Sequence, residues 1–130
     1  MHTKEYSLWH GIKTIIHNNK KRPHFHEREI WFCSLGANVG FEQDGRGDAY
    51  LRPVIVLRKF NKEVCLVIPL TKNHKKGIHY FNFSYQTDLI STAILSQIRL
   101  VDVKRFEYKN GNISEFDFSQ LKQKLRQLFD

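Results

Sequence analysis

The chain has 130 residues, 41% hydrophobic and 26% charged, which suits one compact domain with its own core and argues against disorder. Its apolar runs fall far short of the roughly 20 residues of a membrane-spanning helix, Met1 to Ile16 does not read as an export signal, and Cys33 and Cys65 lie in apolar runs without a CxxC spacing. A membrane span, a disulfide scaffold and a cysteine zinc site are thereby excluded as organising features, and a reducing cytoplasm is the expected compartment.

The net charge of +8 is clustered. Residues 1–28 carry six Lys and Arg against two acids, and residues 52–85 seven against one, whereas residues 29–51 carry one Arg against four acids. Such clustering fits a phosphate-bearing ligand, an acidic protein or an anionic membrane as partner, or simply a soluble basic surface.

Along the chain, Leu8, Trp9, Ile12, Ile15 and Ile16 repeat at helical spacing behind a Ser7 cap. They predict an amphipathic helix over 7–17, weakened at Gly11, with a basic stretch to Arg22 and a stop at Pro23. Residues 1–27 therefore read as an N-terminal helix and basic linker, and residues 28–130 as the domain. Glu29–Leu35 is aromatic-rich and predicts a strand. Residues 36–51 hold four of the seven glycines and form a long loop of the functional or mobile kind. A second strand covers Val54–Arg58 behind Pro53, Asn61 and Lys62 turn the chain, and Glu63–Leu70 is a third strand. The two apolar strands predict an antiparallel hairpin at the centre of the core. After a basic loop over 71–77, His79–Tyr85 and Thr92–Val101 predict further strands, the last interrupted by Ser96 and Gln97. Ser114 caps a C-terminal helix whose Phe118, Leu121, Leu125, Leu128 and Phe129 form an apolar stripe. The expected class is mainly β: about five short strands closed into a small barrel, with the C-terminal helix over one opening or face and an added N-terminal helix.

Three short motifs carry little weight. Arg46-Gly47-Asp48 is a chance tripeptide without an export signal. Glu42, Asp44 and Asp48 lack the closing Glu of a calcium loop. His17, His24 and His26 sit in a basic linker, where histidines are more often solvated than ligating. No phosphate-binding, dinucleotide or nucleophile-elbow motif is present, so neither a metal nor a cofactor is expected. The hairpin is more informative. It sets Arg52, at the start of one strand, near Thr71, at the end of the next, with the 36–51 loop and the lysines of 72–77 rimming the same end. This equipment suits a phosphodiester; the alternative is a surface arginine beside a strand terminus.

The segments REIWFCSLGANVGFEQDG, RPVIVLR, VIPLT and AILSQIRLVDVKRF, in that order over Arg28 to Phe106, resemble the MazF/PemK family of toxins from type II toxin–antitoxin modules. The C-terminal helix also falls in its expected place. The resemblance implies an SH3-like barrel of about five to seven strands, a homodimer, and cleavage of single-stranded RNA at short sequences without metal. It also implies a cognate antitoxin that lays an acidic, partly disordered segment across the RNA groove. The family's catalytic pair maps onto Arg52 and Thr71. Phe41 would stack on a base, Glu42, Gln43, Ser96 and Gln97 would read base edges, and Lys72, Lys75 and Lys76 would position the backbone. His79 is the histidine nearest in sequence to this site, without an assigned role. The chain departs from the pattern in three places. The loop between Gln43 and Arg52 is longer than in compact members, Ile94 and Ser96 replace an Arg/Asp pair found in some, and Phe41 replaces a histidine. Two readings compete with a nuclease: a non-catalytic barrel that binds RNA or an acidic partner or inhibits a target such as gyrase, and a degenerate domain whose groove is covered by helix 7–17.

Overall fold

Runs of β-branched and aromatic residues pair into strands because their side chains pack well on a pleated surface. The computed structural model describes residues 21–35 and 51–130. Within them lie seven strands, β1 (Glu29–Ser34), β2 (Leu51–Lys59), β3 (Val64–Thr71), β4 (Tyr80–Gln86), β5 (Leu89–Ile94), β6 (Arg99–Asp102) and β7 (Phe106–Asn112), followed by helix α1 (Glu115–Gln127). The predicted N-terminal helix over 7–17 and loop residues 36–50 lie outside the described residues.

The mainly-β class and the C-terminal helix agree with expectation. The antiparallel β2–β3 hairpin is present, with Val54 opposite Pro69 and Ile55 opposite Ile68. The hydrogen-bonded order is β4-β5-β3-β2-β1-β7, with β6 also on β3. Thr92–Val101, expected as one strand, is two. β5 sets Ala93 opposite Leu70, and β6 sets Arg99 opposite Val67, so residues 94–98 pass residues 68 and 69. The surplus is taken up in the 3-10 turn Leu95–Gln97, where the polar Ser96 and Gln97 break the apolar run. Strand β7 was not legible in sequence: FEYKNGN holds two asparagines and a glycine, all poor strand formers. A second 3-10 turn, Val103–Arg105, returns it from β6 to pair with β1.

Alternation sends side chains to two cores. Ile30, Ile55, Ile68, Leu70 and Phe83 pack with Phe118, Leu121 and Leu125 of α1. Trp31, Cys33, Val54, Val56, Cys65, Val67, Val101 and Phe106 fill the inside of the curl formed by β6, β3, β2, β1 and β7. Phe25, from the stretch read as basic linker, joins this second core edge-on to Phe106 at 5.8 Å. Its neighbours hold it there. Arg22 grips Asp102 through two hydrogen bonds of 3.1 and 2.8 Å, and the Lys59 ammonium donates to the Phe25 carbonyl at 2.9 Å. Burial pushes the Cys33 and Cys65 thiols up to about 12, so both remain neutral packing residues.

Two polar devices tie the rest. Burial alone would raise the Glu29 carboxyl. The hydrogen bonds from the Trp31 indole, the His26 backbone N–H and Lys109 outweigh it and hold the group below its ordinary 4.5. Between β4 and β7, where the strand ladder ends, side chains make the seam. Asn110 Nδ2 donates to the Tyr85 hydroxyl at 2.8 Å, and the Tyr85 ring lies over Gly111. A Cβ at Gly111 would meet that ring at 3.0 and 3.3 Å, at a φ of +153°. On α1, the Ser114 hydroxyl accepts the Asp117 N–H at 3.1 Å as a cap.

Gly111→Ala should therefore destabilise the fold by about 1–3 kcal/mol, read in urea unfolding, because the ring must move and the backbone is strained. A midpoint equal to wild type would refute the seam. A second expectation concerns acid. A depressed carboxyl adds stability above its ordinary value of 4.5 and loses it as pH falls through the folded value. Wild type should lose stability more steeply than Glu29→Gln below about pH 4.5, and parallel curves would contradict this.

Candidate active site

The strand registers decide which side chains share one end of the curl. Cys33 of β1 lies opposite Arg52 of β2. The β2–β3 register, with Val54 opposite Pro69, extends by two residues to set Thr71 across from Arg52. Directly opposed residues share a face, so Arg52 and Thr71 lie on the side of the sheet occupied by Val54 and Val56. Arg52 Nη2 donates to the carbonyl of Leu70 at 2.9 Å, on the residue that precedes Thr71. The Thr71 hydroxyl accepts the Asn73 N–H at 3.2 Å and starts the turn that leaves β3. Arg52 is 6% exposed and Thr71 8%, so Arg52 is not a surface arginine, while Thr71 does end β3 but is buried there. Both are held groups, and a buried guanidinium of this kind is retained only with bonded partners.

Around the pair, Thr92 of β5 lies opposite Thr71, is fully buried and donates to Asn82 Oδ1. Asn82 Nδ2 in turn donates to the Lys75 carbonyl at 3.1 Å. Lys124 of α1 donates to the carbonyls of Gly77, at 3.0 Å, and Tyr80. The basic loop after β3 is thus tied at its base to the helix and to β4. It exposes Lys72 and Lys76, while Lys75 is half-buried with its ammonium 5.8 Å from the centre of the Tyr80 ring. His79 is exposed, and its carbonyl accepts the Leu95 N–H at 2.8 Å, so the Leu95–Gln97 turn runs beside the loop's end. Ser96 in that turn is exposed and Gln97 half-buried. Arg52, Thr71 and the lysine loop therefore share one end, with Ser96 and Gln97 on the flank of β3. Phe41, Glu42 and Gln43 lie outside the described residues.

Arg105 belongs to this end and was not singled out from sequence. Its Nη1 donates to the Ser34 carbonyl at 3.2 Å, one residue past the Cys33 that pairs with Arg52. Burial, and secondarily the nearby Arg99, lower its pKa from the ordinary 12.5. Its position follows from β7 pairing with β1, so it became visible only with that strand. Among the described residues no group of three or more His, Cys, Asp or Glu is arranged to hold a metal, and no helix is long and apolar enough to cross a membrane. The His26 ring lies 3.3 Å from Glu29 Oε2, within the polar network that holds β1.

No curated protein sequence matches the chain significantly. Among solved structures, the chain is similar to a mycobacterial endoribonuclease in complex with its cognate antitoxin, with 9% identity, a TM-score of 0.64 and 82% of this chain and 95% of that one covered. It is also similar to the toxin MazF-mt6 of Mycobacterium tuberculosis, with 15% identity, a TM-score of 0.62 and 79% and 97% coverage. A third is MazF of Deinococcus radiodurans, with 15% identity, a TM-score of 0.61 and 84% and 97% coverage. These likenesses establish the fold. The family profile described as PemK-like, MazF-like toxin of type II toxin–antitoxin system matches residues 26–129. The chain belongs to that toxin family.

Proposed function

We propose that the chain is a sequence-specific endoribonuclease that cleaves single-stranded RNA without a metal, with Arg52 and Thr71 as its catalytic pair. The observation that carries this reading is the Arg52 guanidinium bonded to the Leu70 carbonyl and set across from Thr71 at the end of the hairpin. The RNA supplies its own nucleophile. A ribose 2′-oxygen attacks the adjacent phosphorus, the bond to the 5′-oxygen breaks, and the products end in a 2′,3′-cyclic phosphate and a 5′-hydroxyl. The proton leaves the 2′-hydroxyl and one is delivered to the departing 5′-oxygen. What the protein must add is alignment and donors aimed at the charge that grows on the phosphoryl oxygens. Arg52 is the donor for that charge, because a guanidinium remains protonated throughout. Thr71 bonds the same phosphate or orients the attacking hydroxyl. Lys72, Lys75 and Lys76 hold the backbone, and Phe41, Glu42, Gln43, Ser96 and Gln97 meet the bases. The basic end also suits a cognate antitoxin whose acidic segment occupies the same surface. The working form is a cytoplasmic homodimer.

Digestion of a mixed RNA in EDTA should give cyclic-phosphate and 5′-hydroxyl ends. Ends carrying a 5′-phosphate would refute attack by the 2′-hydroxyl, and no cleavage would favour a binding or inhibitory barrel. Arg52→Ala should lower cleavage at least ~100-fold. Because the side chain is buried, Thr71→Val provides a second variant that keeps the β-branched shape and should also lose cleavage. Wild-type rates in both, with folding verified by circular dichroism, would dismiss the pair. Replacing Lys75 and Lys76 together by alanine should weaken RNA binding and reduce the slope of log affinity against log salt by up to about 1.4. An unchanged slope would place the RNA elsewhere.

A further inference from the structure

The rung next to Arg52 presents a row of rings on the other face of the sheet. Phe32 of β1 lies opposite both Pro53 of β2 and Tyr108 of β7, so Tyr108, Phe32 and Pro53 stand side by side across three neighbouring strands. Successive residues of a strand face opposite ways, about 3.3 Å apart along it. The row therefore sits one step from the rung that carries Arg52 and Cys33, on the reverse face. Phe32 and Tyr108 are stacked, with centroids 4.8 Å apart and planes 26° from parallel. Neither is sealed into a core. Tyr108 is 51% exposed, and Phe32 and Pro53 are half-buried. A register shift in β7 between the partners of Phe32 and Cys33 turns Phe106 inward, where it is fully buried, and Tyr108 outward, so the open ring at Tyr108 is not required by the core.

We infer that this row is a stacking platform for one nucleobase of the RNA, next to the linkage held by Arg52. The inference rests on the function proposed above and names a further recognition element for it. Two features favour a nucleobase as occupant. An exposed aromatic face takes any base by stacking. The platform also lies beside two cations on its side toward the end of the curl: Arg52 stands one rung beyond Phe32 on β2, and Arg105, bonded to the Ser34 carbonyl, two rungs beyond. A strand crossing the end of the curl would place a phosphate over Arg52 on the inner face and drop the neighbouring base against Phe32 and Tyr108 on the outer one. The two arginines then face the phosphates on the side of that base nearest the cleaved linkage.

The test uses the full chain and an oligoribonucleotide spanning a mapped cleavage site, with a 2′-deoxy sugar at the attacking position so that it binds without being cut. Affinity by fluorescence anisotropy should fall roughly tenfold in Tyr108→Ala, stay within about twofold of wild type in Tyr108→Phe, and keep the same salt slope, since no charge is lost. An abasic residue is then walked along the oligonucleotide. At one position, adjacent to the cleaved linkage, the penalty of Tyr108→Ala should vanish, because the base it stacks on is already gone. Tyr108→Leu, which keeps apolar volume without a ring face, guards against a folding artefact and should bind like Tyr108→Ala. The inference is overturned if Tyr108→Ala binds like wild type. It is equally overturned if its penalty is the same at every abasic position, or if only dimerisation or protein partnering is affected. If wild type neither binds nor cuts RNA, the proposed function fails and the platform with it. If wild type cuts and only the Tyr108 variants are silent, the platform alone fails.

Discussion

The antiparallel pairing of β2 with β3 is the constraint on which the molecule depends. One register does three jobs. It aligns Ile55 and Ile68 for the core beneath α1, aligns Val54, Val56 and Val67 for the core inside the curl, and leaves Arg52 facing the end of β3. A slip of one residue would exchange the two faces and move Arg52 to the other side of the sheet. The bond from Arg52 to the Leu70 carbonyl links site and scaffold, because the side chain that would meet a phosphate also caps the strand pair that positions it. Such a group gains rigidity and contributes electrostatics in a partly dehydrated setting, where a donor already in place needs little reorganisation.

The second organising fact is the sharing of β3 between β5 and β6. It splits the sheet into a curl that encloses one core and a hairpin extension that encloses the other with α1. The two parts meet near the end of β3, where Thr71 pairs toward Thr92 and the chain departs into the lysine loop. That loop is braced from both parts, by Asn82 on β4 and by Lys124 on α1. The opposite end of the curl has a different character. Phe25 plugs it, and Arg22, Asp102, Lys59 and Glu27 bind the entering chain to the β2 and β6 ends. One end is thus packed and ion-paired, while the other carries the buried guanidinium and the open aromatic row.

Much of this was legible from local pattern. Continuous apolar runs gave β1, β2 and β3, the apolar stripe with its serine cap gave α1, and the Arg-Pro start of one strand facing the Pro-Leu-Thr end of the next gave the candidate pair. These features are written in the sequence because burial on one face imposes a period, and because proline and caps have fixed positional meanings. Hidden were the elements whose stability comes from their neighbours. Strand β7 has weak strand formers and exists because the turn after β6 delivers it to the free edge of β1. Phe25 reads as part of a basic linker until Phe106 and Trp31 provide its pocket.

The same division holds for the site. The sequence alone determined the residue types, the hairpin that joins Arg52 to Thr71, and the family signature. Only the tertiary structure decided that the pair is buried rather than superficial, that Arg105 joins the same end, and that Tyr108 and Phe32 stack in the open one rung away. These follow from pairings between residues 71 to 76 positions apart, such as Ser34 with Arg105 and Phe32 with Tyr108. No local period encodes such a pairing; it is fixed by the return of β7 from β6 to the edge of β1.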